Sequence, residues 1–364
     1  MNYSNDDRIV MLLDAGGTNF VFSAIQKGEE IVKPIITPSN GDNLDLCLKT
    51  IIEGFNKVKS ELPLAPSAIS FAFPGPADYP NGIIGDLKNL PAFRGGVPLG
   101  PILENEFKIP VFINNDGDLF AYGEALSGIL PEINEELENN GQNRRYKNLI
   151  GITIGTGFGA GVVRNNELFL GDNSMGAEVW ILSNRYDSES FAENTISTEA
   201  IKRSYIEYTG KENNLMPKDI YDIAMGNKEG DQEQAKLAFE EFGKNIGEIL
   251  GNLISLFDSV IVIGGGIAGA NELYMPAIFK ELNKNFRVGE DEAPRTVQKV
   301  FNYDIPHERQ EFLSDNSKDI VIPTTGKTIK YDSNPRLVIA TSKVGASKAI
   351  SIGAYTYALQ HLKK

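Results

Sequence analysis

Leu149-Ile150-Gly151-Ile152-Thr153-Ile154-Gly155-Thr156-Gly157-Phe158-Gly159-Ala160-Gly161-Val162-Val163 runs an apolar strand into a glycine turn and resumes at once as strand. Its unbroken apolar character predicts a strand buried on both faces. A Walker-type loop would close on Lys-Ser or Lys-Thr, and a dinucleotide-binding turn would open a helix. Neither happens here. The same device stands earlier: Arg8-Ile9-Val10-Met11-Leu12-Leu13 ends in Asp14-Ala15-Gly16-Gly17-Thr18-Asn19 and returns as Phe20-Val21-Phe22-Ser23-Ala24-Ile25. Adjacent glycines let backbone amides approach a ligand, Thr18 adds a hydroxyl, and Asp14 can orient water on a metal. Asp-Gly-Gly alone also makes ordinary hairpins. Two such turns, each ending a buried strand, are hard to assign to chance.

Between them lies Ile113-Asn114-Asn115-Asp116-Gly117-Asp118, where a short apolar strand meets three polar residues and then a helix-like stretch. A carboxylate at a buried strand end is costly unless hydrogen-bonded, and such groups often do chemistry. Asp116 is the first candidate for a general base; alternatively Asp116 or Asp118 caps the following helix. Pro74-Gly75-Pro76 makes a rigid, exposed corner suited to a ligand's edge, and Asn89 stands in a loop. Asp172 to Trp180 carries Glu178, and Phe191 to Ser197 carries Glu193. Two carboxylates flanking a loop suit hydroxyl recognition, or are surface charges. Ser197 or Thr198 can cap a helix beginning near Glu199. After strand Val260-Ile261-Val262-Ile263, Gly264-Gly265-Gly266 offers a flat backbone surface that admits a large planar group.

At 364 residues the chain exceeds one small core, so two domains are expected. No apolar run approaches the roughly 20 residues that span a bilayer, and the polar, acidic start is neither signal nor transit peptide. With Cys47 as the lone cysteine, an internal disulfide and a Cys-rich zinc site are excluded and the chain reads as cytoplasmic. A net charge of −14 opposes a nucleic-acid surface, so backbone amides and a divalent cation must hold the phosphates of any nucleotide. Glu132 to Glu138 reads as solvated surface. Helical spacing predicts amphipathic helices over Leu44–Leu62 and Gln232–Phe257, and a terminal helix over Ala346–Leu362. Residues 285–335 are polar, with a hairpin around Pro323-Thr324-Thr325-Gly326.

Taken in order, Asp14-Ala15-Gly16-Gly17-Thr18, Pro74-Gly75-Pro76, Asn89-Leu90, Asn115-Asp116, Gly155-Thr156-Gly157 and Gly264-Gly265-Gly266 resemble the ROK family of sugar kinases and regulators along essentially the whole chain. The resemblance implies an α/β, two-domain actin-like ATPase (ribonuclease H-like) fold with an interdomain cleft. It implies a smaller domain of residues 1–117 plus 346–364 and a larger one of 118–345. It also implies ATP and Mg²⁺ as cofactors, a sugar as partner and a homodimer, while the acidic charge and the lack of a long apolar run lead us to expect no nucleic acid or membrane as partner. Gly16, Gly17, Thr18 and Gly155, Thr156, Gly157 would line the phosphates, with Asp14 reaching Mg²⁺ through water. Gly264, Gly265 and Gly266 would lie beside the adenosine. Gly75, Asn89, Asn115, Asp116, Glu178 and Glu193 match positions that bind sugar hydroxyls, and Asp116 matches the catalytic base. Domain closure would exclude water as a competing acceptor.

The sequence departs from the family in two places. Glu178 is followed by Val179-Trp180-Ile181 where relatives have Gly-His and then a cysteine cluster, so the zinc site of those relatives is not expected here. Trp180 either offers an apolar face to the sugar ring or fills core space. Residues 285–335 have no family role. The expected activity is ATP-dependent phosphorylation of the primary hydroxyl of a hexose or N-acetylhexosamine. The alternatives are a sugar-responsive regulator, disfavoured by the 13 residues before Asp14, and a sugar-binding protein without turnover.

Overall fold

The computed structural model describes residues 5–88, 90–212 and 214–362. They form two compact units, one of residues 1–128, 160–177 and 344–364, the other of 129–159 and 178–343.

The first unit is built on the sheet β1 (Val10–Ala15), β2 (Asn19–Gln26), β3 (Glu29–Glu30), β4 (Ile35–Pro38), β5 (Ala68–Ala72) and β6 (Val111–Asn114). The order is β3-β2-β1-β5-β6, with β4 on β2. β1 is antiparallel to β2 but parallel to β5, which is parallel to β6. Alternation sends Phe20, Phe22 and Phe71 to one face, where α1 (Leu44–Glu61) packs Phe55 edge-on against Phe22 at 5.2 Å. The opposite face takes Val10, Leu12 and Leu119 together with Tyr355 of the C-terminal helix, Ala346–His361. α2 (Leu99–Phe107) precedes β6, and α3 (Asp116–Ser127) follows it.

α3 and the C-terminal helix meet on glycines. A Cβ at Gly123 would stand 2.1 Å from the carbonyl oxygen of Ala349, and one at Gly353 1.9 Å from that of Leu119. Backbone meets backbone, so neither helix can accept a methyl without moving. Gly353→Ala is expected to destabilise the first unit by about 1–3 kcal/mol, the usual range for overpacking. Urea unfolding checks this, and an unchanged midpoint would show that the helices separate at no cost.

The second unit holds a parallel sheet. Its elements are α4 (Ile129–Asn139), β7 (Leu149–Ile154), α5 (Thr198–Thr209), α6 (Pro217–Ala224), α7 (Gln232–Phe257), β8 (Val260–Gly264), α8 (Asn271–Leu282), β9 (Lys299–Asn302), α9 (Pro306–Leu313) and β10 (Arg336–Thr341). The four strands run in the order β7-β8-β10-β9, each parallel to its neighbour. Ser197 caps α5 through Ala200 N–H, and Asp231 caps α7 through Gln234 N–H.

The acidic run near Glu132 is not merely solvated surface. Ile129, Leu130, Ile133 and Leu137 fall at helical spacing and are buried, so α4 is amphipathic and only its charged face meets water. Residues 285–335 also hold more than the expected hairpin of Lys318–Val321 with Thr328–Tyr331. A second hairpin pairs Asn285–Val288 with Asp291–Pro294, and β9 joins the sheet through buried Val300 and Phe301. No described helix is long and apolar enough to cross a membrane.

Candidate active site

In the first unit, strand register brings the polar candidates to one sheet edge. Asp14 pairs with Ala72 across β1 and β5, and Ala72 with Asn114 across β5 and β6. The carboxyl ends of three adjacent parallel strands therefore release Asp14, the Pro74-Gly75-Pro76 corner and Asn115-Asp116 side by side, the edge where α/β sheets hold ligands. The corner is braced by the Tyr79 hydroxyl, which donates to the Phe73 carbonyl at 3.0 Å, and by Gly85 N–H on the Pro76 carbonyl at 2.8 Å. Gly75 itself is exposed. Asn89 lies outside the described residues.

Asn115, not an aspartate, is the cap of α3, and its Oδ1 accepts from Gly117 N–H at 2.8 Å. Asp116 is the first helical residue, and its Oδ1 accepts from the same N–H at 2.9 Å. Gly117 is required here. A Cβ on it would lie 2.7 Å from the carbonyl oxygen of Ala160, and a Cβ on Gly161 would lie 2.4 Å from that of Gly117. The strand leaving the second glycine turn thus clamps the first turn of α3 and fixes where Asp116 points.

The Asp116 carboxylate is reachable from solvent yet hemmed in by protein, and this loss of hydration raises its pKa against the lowering effect of nearby N–H groups, Gly117 first. Asp14 is also raised, first by burial and then by the charge of Asp116. The two acids share one electrostatic environment.

The turn Gly16-Gly17-Thr18 is exposed and is held through its carbonyl oxygens. The Ser39 hydroxyl donates to the Gly17 carbonyl at 2.6 Å, and Ser39 N–H to that of Thr18 at 2.9 Å. Ser39 carried no sequence signal, because its role depends on β4 pairing with β2.

In the second unit the other two glycine clusters are neighbours. Thr153 of β7 pairs with Gly264 of β8, so both glycine stretches leave adjacent parallel strands. Gly265 has φ +95°, and a Cβ there would stand 2.3 Å from the Ile154 carbonyl oxygen, so only glycine fits. Gly266 has open space about it. The Gly155 turn is closed by Gly155 N–H on the Gly157 carbonyl at 2.9 Å, and tied to α5 by Thr198 N–H on the Gly155 carbonyl at 2.8 Å.

Glu193 belongs to this same turn. Its Oε2 accepts from Phe158 N–H at 2.9 Å and lies 2.9 Å from where a Gly157 Cβ would stand. Glu178 is exposed, and its Oε2 accepts the indole N–H of Trp180. Trp180 is half-buried and rests edge-on against Phe191, so it is neither a fully enclosed core residue nor a bare ring. Among the described residues no group of three or more His, Cys, Asp or Glu side chains is arranged to hold a metal ion.

The sequence model of the ROK family matches residues 10–302. A curated N-acetyl-D-glucosamine kinase of Vibrio parahaemolyticus is 27% identical over 279 residues, covering 72% of this chain and 85% of that protein. Among solved structures, a glucokinase from Parabacteroides distasonis matches at a TM-score of 0.93 and 50% identity, covering 100% of both chains. A ROK family glucokinase from Streptomyces griseus, in complex with glucose and AMPPNP, has a TM-score of 0.62 at 18% identity, covering 97% of this chain and 99% of that one. At that identity the likeness is one of fold.

Proposed function

We propose that this chain, which belongs to the ROK family and has its actin-like ATPase fold, is an ATP-dependent sugar kinase acting on the primary hydroxyl of a hexose or N-acetylhexosamine. The observation that carries this reading is Asp116, an accessible carboxylate with a raised pKa, fixed at the head of α3 by the Gly117–Gly161 contact. The relatives named above as glucokinase and N-acetyl-D-glucosamine kinase support both the reaction and the two sugar classes. They also favour a kinase over a regulator.

In this reading Asp116 accepts the proton of the sugar's primary hydroxyl, and the freed oxygen attacks the γ-phosphorus of ATP in line. The oxygen–phosphorus bond to ADP breaks as the new one forms, and the proton resides on Asp116. Gly16, Gly17 and Thr18, with Thr156 and Gly157, present the phosphates with backbone N–H groups, while Gly155 lines them and spends its own N–H on closing the turn. Gly264 to Gly266 lies along the adenosine, where Gly266 leaves room for a planar group. Gly75, Asn89, Asn115, Glu178 and Glu193 take the sugar hydroxyls, each carboxylate accepting more than one.

Asp14, an exposed carboxylate at the first glycine turn, fits Mg²⁺, which takes hard oxygen donors and commonly one or two carboxylates plus substrate phosphates. Asp14 would hold the ion through water, and when bound the ion offsets charge on the phosphates. A coupled ADP-release screen over glucose, mannose, fructose, allose, N-acetylglucosamine and N-acetylmannosamine tests the reading. At least one sugar is expected to stimulate ADP release, and EDTA to abolish it until excess Mg²⁺ is restored. ADP release that no sugar stimulates would overturn it.

A further inference from the structure

Glu178 reaches outward from an exposed position, and a free glutamate there would sample many rotamers. It is not free. The short turn Val179–Ile181, closed by Leu182 N–H on the Val179 carbonyl at 3.2 Å, folds Trp180 back so that its indole Nε1–H donates to Glu178 Oε2. The ring is held in turn. It meets Phe191 at 5.6 Å between centroids and 90° between planes. Phe191 lies in the hairpin of Ser183–Asn184 with Asp187–Phe191, where it pairs with Ser183. The hairpin is anchored from behind by Tyr186, whose hydroxyl donates to Glu281 at 3.0 Å, and by Arg185, whose guanidinium meets Glu248 at 3.4 Å.

An indole N–H can donate and cannot accept, so it occupies one lone pair of the carboxylate. Oε1 of Glu178 then remains for donors arriving from outside, already aimed. A ring platform for the sugar and a plain core role both leave this contact unexplained.

We infer that Trp180 is a positioning residue that presets Glu178 as an acceptor for sugar hydroxyls, and so governs affinity for the acceptor sugar rather than the phosphoryl-transfer step. The inference rests on the reading of Glu178 as a sugar-binding residue. Preorganisation of this kind lowers the cost of binding, and an interaction made equally in ground and transition states changes KM and not kcat.

The test is Trp180→Phe, which keeps an aromatic ring beside Phe191 and removes the N–H together with the rest of the pyrrole ring. The sugar KM is expected to rise about tenfold or more, the usual worth of a hydrogen bond to a charged group, while kcat and the KM for ATP stay within about twofold. Because Trp180 is the chain's single tryptophan, intrinsic fluorescence reads the contact without turnover. Glu178→Gln, which leaves Trp180 in place, is expected to shift the emission in the absence of any ligand. A native sugar KM in Trp180→Phe, or an emission spectrum unchanged by Glu178→Gln, overturns the inference. Should the wild-type protein phosphorylate no sugar, the kinase reading fails. The emission arm still decides whether Trp180 holds Glu178, also when Trp180→Phe does not fold.

Discussion

Asp116→Asn lowers turnover by about 10²–10⁴-fold, the ordinary contribution of a general base, and more where the hydroxyl is also misplaced. The loss falls on kcat while sugar binding survives, because an amide at this position still hydrogen-bonds a hydroxyl but accepts no proton. The variant should not be less stable than the parent. Burial raises the folded-state pKa of Asp116 above its ordinary 3.8, so the folded chain binds this proton more readily than the unfolded one. Ionised Asp116 therefore opposes folding at neutral pH, and the opposition fades as pH falls through the raised value. Asp14 acts in the same direction. Activity moves oppositely, since the base must be ionised, so the acid limb of kcat/KM lies above 3.8. A pH–rate profile beside a thermal melt of both proteins checks the two signs together. Near-native turnover in the variant across pH would reduce Asp116 to the first residue of a helix.

Arg295→Ala carries the largest expected cost in stability. Arg295 is buried, its guanidinium 2.9 Å from Glu248 and 3.8 Å from buried Glu281, with a further bond of 2.7 Å to the Glu248 carbonyl. Gly251 makes room for it, since a Cβ there would stand 2.2 Å from the arginine Nε. Removing the guanidinium leaves Glu281 buried with Lys284 as its one remaining ion-pair partner among the described residues, and breaking such a network costs about 3–5 kcal/mol. For a unit of this size that corresponds to roughly 6–20 °C in melting temperature. A hydrophobic replacement does no better while both glutamates stay. The effect also assigns a task to the polar segment that the family pattern leaves unexplained, because Arg295 follows its first hairpin and pins it to α7 and α8. A melt indistinguishable from the parent would mean the network contributes nothing net.

What the sequence made legible was local and periodic. Both glycine turns stand out because apolar runs bracket them, and Gly155 and Gly264 end strands that an unbroken Val/Ile content announces. Long helices such as Gln232–Phe257 are visible through spacing alone. The run at Glu132 misled because seven residues dense in charge mask Ile133 and Leu137, which matter only once the 3.6-residue period is extended back to Ile129 and Leu130. Other features were illegible in principle. Arg295 and Glu248 lie 47 positions apart, and nothing local in either marks them as partners. Ser39 is an ordinary residue at a strand end until β4 pairs with β2 and carries it beneath Gly17. Gly117 and Gly161 each look like generic turn glycines, and their mutual contact is what aims Asp116. Trp180 was visible as a departure from the family, but its N–H bond to Glu178 depends on a tight turn that no spacing rule specifies.

Sugar kinase chemistry predicts one product, a phosphate ester on the primary carbon of the sugar. ³¹P NMR of the protein with ATP, Mg²⁺ and the sugar that best stimulates ADP release tests this directly. The expected spectrum shows a phosphomonoester signal split by a methylene pair, growing as the γ-phosphate signal of ATP falls, and absent with Asp116→Asn. Orthophosphate in place of the ester, or ATP left unconsumed, would contradict the account.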